Sequence, residues 1–158
     1  MRLSRLCLPA VAACFLAIPP VAAAQTSDRD AVLATVQKVF DAMRTRDTSL
    51  FSQVFDSSAR LVGVSNRGTP RVTLTTPSQF AAAIVRAPAG NVWNERIYEP
   101  EVRIDLPIAQ VWAYYTFHLN SKFSHCGIDA FMLVKAGDAW KITQLADSRR
   151  TEGCTHTE

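Results

Sequence analysis

The hydrophobic spacing of this chain changes once, near Asn91, and that change limits the folds open to it. Before it, apolar residues recur at helical spacing; after it, they alternate. From Ser27, the residues Val32, Leu33, Val36, Val39, Phe40 and Met43 fall on one face of a helix. Ser27 and Asp30 form a capping-box-like pair at its start. Asp47-Thr48 opens a short second helix with Leu50, Phe51, Val54 and Phe55 on one side. Ala59 to Ser65 reads as a short strand, and Asn66 to Pro70 as a turn. Thr76-Pro77 then starts a third helix, with Thr as the cap and Pro at the first helical position.

Beyond Asn91 the spacing predicts strands. Val92 to Leu106 is one long strand, bent at Glu99-Pro100 because proline cannot donate to a ladder. Ala109 to Asn120, Ser124 to Lys135 and Ala139 to Arg149 follow, with turns at Asn120-Ser121-Lys122 and Ala136-Gly137-Asp138. Helices first and strands after predict an α+β domain, with about three N-terminal helices packed on one face of a curved antiparallel sheet.

The first residues have the form of a secretory signal. Arg2 and Arg5 precede an apolar run from Leu6 to Ile18, and Ala22-Ala23-Ala24 forms an A-x-A cleavage site. The expected organisation is a cleaved segment 1–24 and a single domain 25–158. Val11-Ala12-Ala13-Cys14 also fits a loose lipoprotein box, although apolar Phe15 to Ile18 stand where a polar tether would begin. Without Arg2 and Arg5, the 17 basic residues fall to 15 against 14 acidic ones. That balance gives no electrostatic footprint for nucleic acid, and none for an anionic membrane. Cys7 and Cys14 leave with the signal, so Cys126 and Cys154 remain and are expected to form a disulfide in a periplasmic or secreted protein. The bridge would close a loop worth roughly 3 kcal/mol in the chain-entropy model.

The segment HCGIDAF, His125 to Phe131, places a histidine, a thiol and a carboxylate close together. Strand alternation separates them. His125, Asp129, Phe131 and Leu133 share one face, and Cys126 takes the other. His125 and Asp129 lie about 13 Å apart along an extended strand, too far for a dyad. One Cys beside one His lacks the paired spacing of a zinc site, so no metal is expected. Asp129 on an apolar face must be neutral or paired: either a pocket acid or a structural partner of Arg149, Arg103 or a tyrosine. Aromatic walls come from Tyr115 and Phe117 or from Trp112 and Tyr114, depending on hairpin register. Asp147 and Arg149 alternate on the last strand; they either close the polar end of the pocket or, with Arg150, form a solvated end of the sheet. No P-loop, G-x-S-x-G or H-E-x-x-H pattern occurs, and no cofactor is implied.

The element order, the helix end MRTRDTSLFSQVF, the strand AQVWAYYTF and the hairpin GIDAFMLVKAGDAWKI together resemble the nuclear-transport-factor-2-like superfamily. HCGIDAF with LADSRRTEGC is similar to an exported subgroup of it. The superfamily has a cone-shaped α+β fold and includes ketosteroid isomerases, SnoaL-type polyketide cyclases and lumazine-binding-like proteins. The resemblance implies a pocket acid at Asp129 that keeps its proton and donates to a developing oxyanion. It would place the isomerase base at Gly63 and the second oxyanion donor at Val39, so steroid-type isomerisation is not implied.

The expected function is binding of a small apolar or aromatic molecule by an exported domain that forms a homodimer through its open sheet face. His125, Tyr115, Phe117, Trp112, Phe131 and Arg149 are the expected ligand contacts. The alternative is a cyclase, isomerase or dehydratase with Asp129 as general acid/base. A third possibility is a structural domain whose pocket is filled by side chains.

Overall fold

The computed structural model describes residues 21–65 and 69–158. The signal-like segment up to residue 20, with Cys7 and Cys14, and the turn residues Asn66, Arg67 and Gly68 lie outside the described residues. Helix α1 spans Val21–Thr45, α2 Ser49–Val54 and α3 Pro77–Arg86. The strands are β1 Phe55–Ser65, β2 Arg71–Thr75, β3 Trp93–Asp105, β4 Ile108–Leu119, β5 Lys122–Ala136 and β6 Ala139–Arg149. None of the described helices is long and apolar enough to cross a membrane.

The sheet has six strands in the order β2-β1-β6-β5-β4-β3. It is mixed rather than wholly antiparallel: β1 pairs with β6 in parallel, with Leu61 beside Leu145 and Gly63 beside Asp147. The other pairings are antiparallel. Edge strand β2 was not expected from the sequence. Its Val72 and Leu74 are 67% and 64% exposed, so no buried face marks it.

The start of α3 has a local cause. Thr76 caps α3 through a capping box: its hydroxyl accepts from the Gln79 amide at 3.2 Å, and the Gln79 side chain accepts from the Thr76 amide at 2.8 Å. Ser27 does not cap α1, because that helix already begins at Val21. Asp28 instead accepts from Lys135 Nζ at 2.6 Å and from Trp140 Nε1 at 3.3 Å, which ties the helix to β5 and β6.

The turns follow the same logic. Asn120 and Ser121 both have positive φ, 52° and 64°, the pattern of a type I′ hairpin turn. Strand β3 bends where expected: its register to β4 shifts between Tyr98 and Glu101, and Glu99 takes φ 46°.

The core lies between the helices and the inward face of the sheet. Val32, Val36, Val39 and Phe40 of α1 are buried against Val111 of β4, Phe131 and Leu133 of β5, and Ile142 of β6. Phe40 meets Phe131 edge-on at 6.2 Å.

Candidate functional site

Pairing register places the chemistry-bearing residues of the inward face. Ala113, Asp129, Asp147 and Gly63 form one row across β4, β5, β6 and β1. Two carboxyls therefore sit side by side between two of the smallest residues. A Cβ on Gly63 would come within 3.4 Å of Asp147 Oδ1 and 3.5 Å of the Arg149 guanidinium. Asp129 is buried, at 1% exposure, among Ala113, Tyr115 and Phe131 on the same face.

The Asp129 carboxyl meets Glu95, which β3 projects inward from opposite Phe117. Withdrawal from water raises Asp129 well above the ordinary carboxylate range. The charges of Glu95 and Asp147, and the hydrogen bond Asp129 donates to Glu95, raise it further, against the opposing effect of Arg149. Burial and the Asp147 charge also push Glu95 up, to about 8, against the hydrogen bond from Asp129 and the nearby Arg149. Two facing carboxylates cannot both ionise cheaply, so the pair holds a proton at neutral pH. Asp129 Oδ2 is buried and receives no hydrogen bond from a donor of the described residues, so an ionised Asp129 would be left unsatisfied.

Arg149 is not the partner of Asp129. Its guanidinium grips Asp147, with Nε 2.5 Å from Oδ2 and an Nη 3.2 Å from Oδ1. That pairing raises the arginine above its ordinary value. Arg103, the other guanidinium weighed for Asp129, approaches Glu101 at 3.7 Å.

Tyr115 completes this end of the face. It is 1% exposed, lies across Gly127 on β5, and donates from its hydroxyl to the Ser148 carbonyl at 3.0 Å. Burial first, then the carboxyls of Glu95, Asp147 and Asp129, push its phenol above the ordinary value. Gly127 is required by that contact: a Cβ there would fall 1.7 Å from the Ser148 oxygen and 2.9 Å from the Tyr115 ring. Nearby, Ser148 Oγ accepts the Ile128 amide at 3.0 Å where the β5–β6 ladder is interrupted.

Beside the acids runs a belt of rings. Phe80 meets Trp93 at 6.3 Å, Trp93 meets Phe117 at 6.1 Å, and Phe117 stacks on His125 at 4.9 Å. His125 also meets the Tyr115 ring edge-on at 5.8 Å, and its Nδ1 lies 3.0 Å from Ser124 Oγ.

The β4–β5 register places Tyr115 and Phe117 on the inward face of the sheet. Together with His125, Phe131 and Asp129 they occupy the inward face. Trp112, expected as a ligand contact, belongs to the opposite face. It is 48% exposed and lines a shallow depression of about 200 Å³ with Glu101, Arg103 and Gln110. Its even position on β4 turns it away from the core, the one-residue parity that sequence could not fix.

Cys126 is bonded to Cys154 across 28 positions, with Cα atoms 5.8 Å apart. Cys126 pairs with Arg150, and Gly153 takes φ 62° where the chain doubles back. The bridged tail then lies on the outer face: His156 stacks on Tyr98 at 4.1 Å, and the Tyr114 hydroxyl bonds both the amide and the carbonyl of Thr155.

Glu95 is the site residue that sequence reading missed. The signal was present in the alternation Trp93-Glu95-Ile97, which sets a glutamate between two core-facing residues. Among the described residues, no group of three or more His, Cys, Asp or Glu is placed to hold a metal ion.

The fold is shared with solved structures of nuclear-transport-factor-2-like proteins. An NTF2-like protein of unknown function from Silicibacter pomeroyi superposes with a TM-score of 0.60 at 16% identity, covering 80% of this chain and 98% of the other. The Kfla4162 protein from Kribbella flavida gives 0.66 at 15% identity, covering 79% and 92%. A protein of unknown function with a cystatin-like fold from Nostoc punctiforme gives 0.64 at 9% identity, covering 80% and 93%. The chain belongs to the family described as "Putative lumazine-binding", whose model matches residues 27–145. A search of the curated proteins finds no match.

Proposed function

We propose that this chain is an exported small-molecule-binding domain whose ligand is held on the inward sheet face, between the Asp129–Glu95 pair and the ring belt of Trp93, Phe117 and His125. The observation that carries this is Asp129 itself. It is fully buried, its Oδ2 receives no donor among the described residues, and in its row it stands between Ala113 and the carboxyl of Asp147. Retaining an acid there costs stability, which a ligand contact would explain. Family membership supports a ligand-binding domain of this kind. Untargeted mass spectrometry of molecules released from the purified protein tests the reading. A stoichiometric apolar or aromatic compound, lost in Asp129→Leu, supports it; the same compounds retained in Asp129→Leu refute it.

The second reading is an enzyme of cyclase, isomerase or dehydratase type. One feature favours it: burial and the neighbouring Glu95 push Asp129 well above the ordinary carboxylate range, toward the protonated form a general acid needs. Asp129→Asn should then abolish turnover of any substrate found while leaving the fold intact.

The disulfide supports export to the periplasm or beyond, with residues 1–24 removed. Exposed Ile108, Trp112 and Met132 on the outer face suit the homodimer interface expected for the open sheet face. Trp112→Glu should convert a dimer to a monomer in sedimentation.

A further inference from the structure

We propose that helix α3 is the lid of the inward face and that Arg46 is its latch, so that a small molecule enters when the hydrogen bonds from Arg46 to the end of α3 break. This rests on the small-molecule-binding reading above and names how access to that site is controlled.

The inward face is closed. Asp129 and Tyr115 are each 1% exposed, so a ligand reaches them only when an element packed over the face moves aside. The three helices differ in what holds them there. Val32, Val36, Val39 and Phe40 of α1 are buried at 1% exposure or less, and α2 buries Phe51 and Val54. Of the ten residues of α3, only Ile84 is buried, and Val85 is 60% exposed. Apolar burial sets the cost of local opening, so α3 opens before the other two helices. The C-terminal tail does not gate this face, because His156 stacks on Tyr98 on the outer side of the sheet.

Helix α3 is also placed to cover the site. It packs against β1 and α2, its Ile84 joins the core, and its Phe80 stacks on Phe51 at 5.5 Å. Phe80 also meets Trp93 of β3 at 6.3 Å, at the start of the ring belt. In the sheet, β6, β5 and β4 separate β1 from β3, so α3 bridges the inward face between them. Extended residues flank it, Thr76 after edge strand β2 and Ala87 on the way to β3, and such element ends are where hinges form. The last carbonyls of a helix have no partner within it. Arg46, in the connection between α1 and α2, supplies one: Nη2 donates to the Val85 carbonyl at 3.0 Å and the Ala87 carbonyl at 2.9 Å, and Nη1 donates to the Pro88 carbonyl at 3.0 Å. Arg46 takes φ 62°, a region that L residues rarely occupy, and the three charge-assisted bonds hold it there. The side chain is only half-buried, so water can replace these bonds without stranding a buried group.

The test compares the wild-type protein, disulfide intact, with Arg46→Gly, in which glycine takes the positive φ without strain and only the guanidinium is lost. Two rates are read under native conditions: amide exchange of residues 77–90 against that of α1, and carbodiimide-driven amidation of Asp129 by glycine ethyl ester, followed by peptide mass spectrometry. The expected result is that exchange in 77–90 and modification of Asp129 are each at least about tenfold faster in Arg46→Gly, with α1 exchange unchanged. Arg46→Lys, which keeps a donor but not the fork, should fall between the two, and it decides if the glycine variant does not fold. Exchange in 77–90 no faster than in the wild type overturns the latch. Equal acceleration in α1 overturns it as well, because Arg46 would then hold the whole fold. Faster exchange in α3 with Asp129 modified at the wild-type rate overturns the lid. Failure of the small-molecule reading is seen separately, in the compounds released from the purified protein, and does not change these rates.

Discussion

Asp129 and Asp147 stand directly opposite each other on antiparallel neighbours β5 and β6, yet they have opposite fates. Asp147 is held by the Arg149 guanidinium through two nitrogens. Asp129 has Glu95 and is satisfied only as an acid. The same side chain, one strand apart, meets a guanidinium in one case and a carboxyl in the other.

Gly127→Ala should be among the most damaging single changes. Its Cβ would fall 1.7 Å from the Ser148 oxygen, and both that backbone and the overlying Tyr115 ring are held by packing. A loss of about 3 kcal/mol is expected from such overpacking, read by urea denaturation. A loss below about 0.5 kcal/mol would show that the sheet can open there and that Tyr115 is not locked over the glycine.

Much of this was legible in the sequence, for local reasons. The strands β3 to β6 and their turns follow from alternation and from turn residues able to take positive φ, as Asn120, Ser121 and Gly137 do. Asp129 was visible as a charge between apolar neighbours. The parallel pairing of β1 with β6 was not, because local periodicity does not name a distant partner strand. Strand β2 was hidden for lack of a buried face. The meeting of Glu95 with Asp129 was hidden too, since β4 separates their strands and only the sheet's three-dimensional course unites them.

Glu95 should make stability fall with rising pH. Below its ordinary value of 4.5 the carboxyl is protonated in folded and unfolded chains alike, and its contribution is fully present. From there to about 8 the unfolded chain ionises while the folded chain holds its proton, so stability is lost progressively. The slope reaches at most about 1.4 kcal/mol per pH unit for one group. Glu95→Gln removes this term, so the variant should gain on the wild type between pH 5 and pH 8. Thermal midpoints at both pH values check it; a gap that stays constant contradicts the buried-acid assignment of Glu95.

Reduction of Cys126–Cys154 should cost about 3 kcal/mol through the chain entropy regained by the unfolded state. It should also free the tail, with loss of the Tyr98–His156 stack and the Tyr114–Thr155 hydrogen bonds. Cys154→Ser tested by denaturation and by amide exchange of residues 151–158 would show both effects. Unchanged exchange in the tail would mean that the ring contacts alone hold it.

Thr76→Ala should cost about 1 kcal/mol, because the hydroxyl serves the Gln79 amide and the capping box is complete. Rescue by Thr76→Ser, and none by Thr76→Val, would assign the effect to the hydroxyl; equal loss in Ser and Val would assign it to packing.

The protonation state of Asp129 tests the site most directly, since both the binding and the acid-catalysis readings require it. Carboxyl-carbon NMR, with Asp129 assigned by comparison with Asp129→Asn, follows that state through a pH titration. The expected result is a carboxyl still protonated at pH 7, shifting only under more alkaline conditions and in step with Glu95. An Asp129 signal that ionises near its ordinary value of 3.8 would contradict it, and with it the buried acid pair on which the site is built.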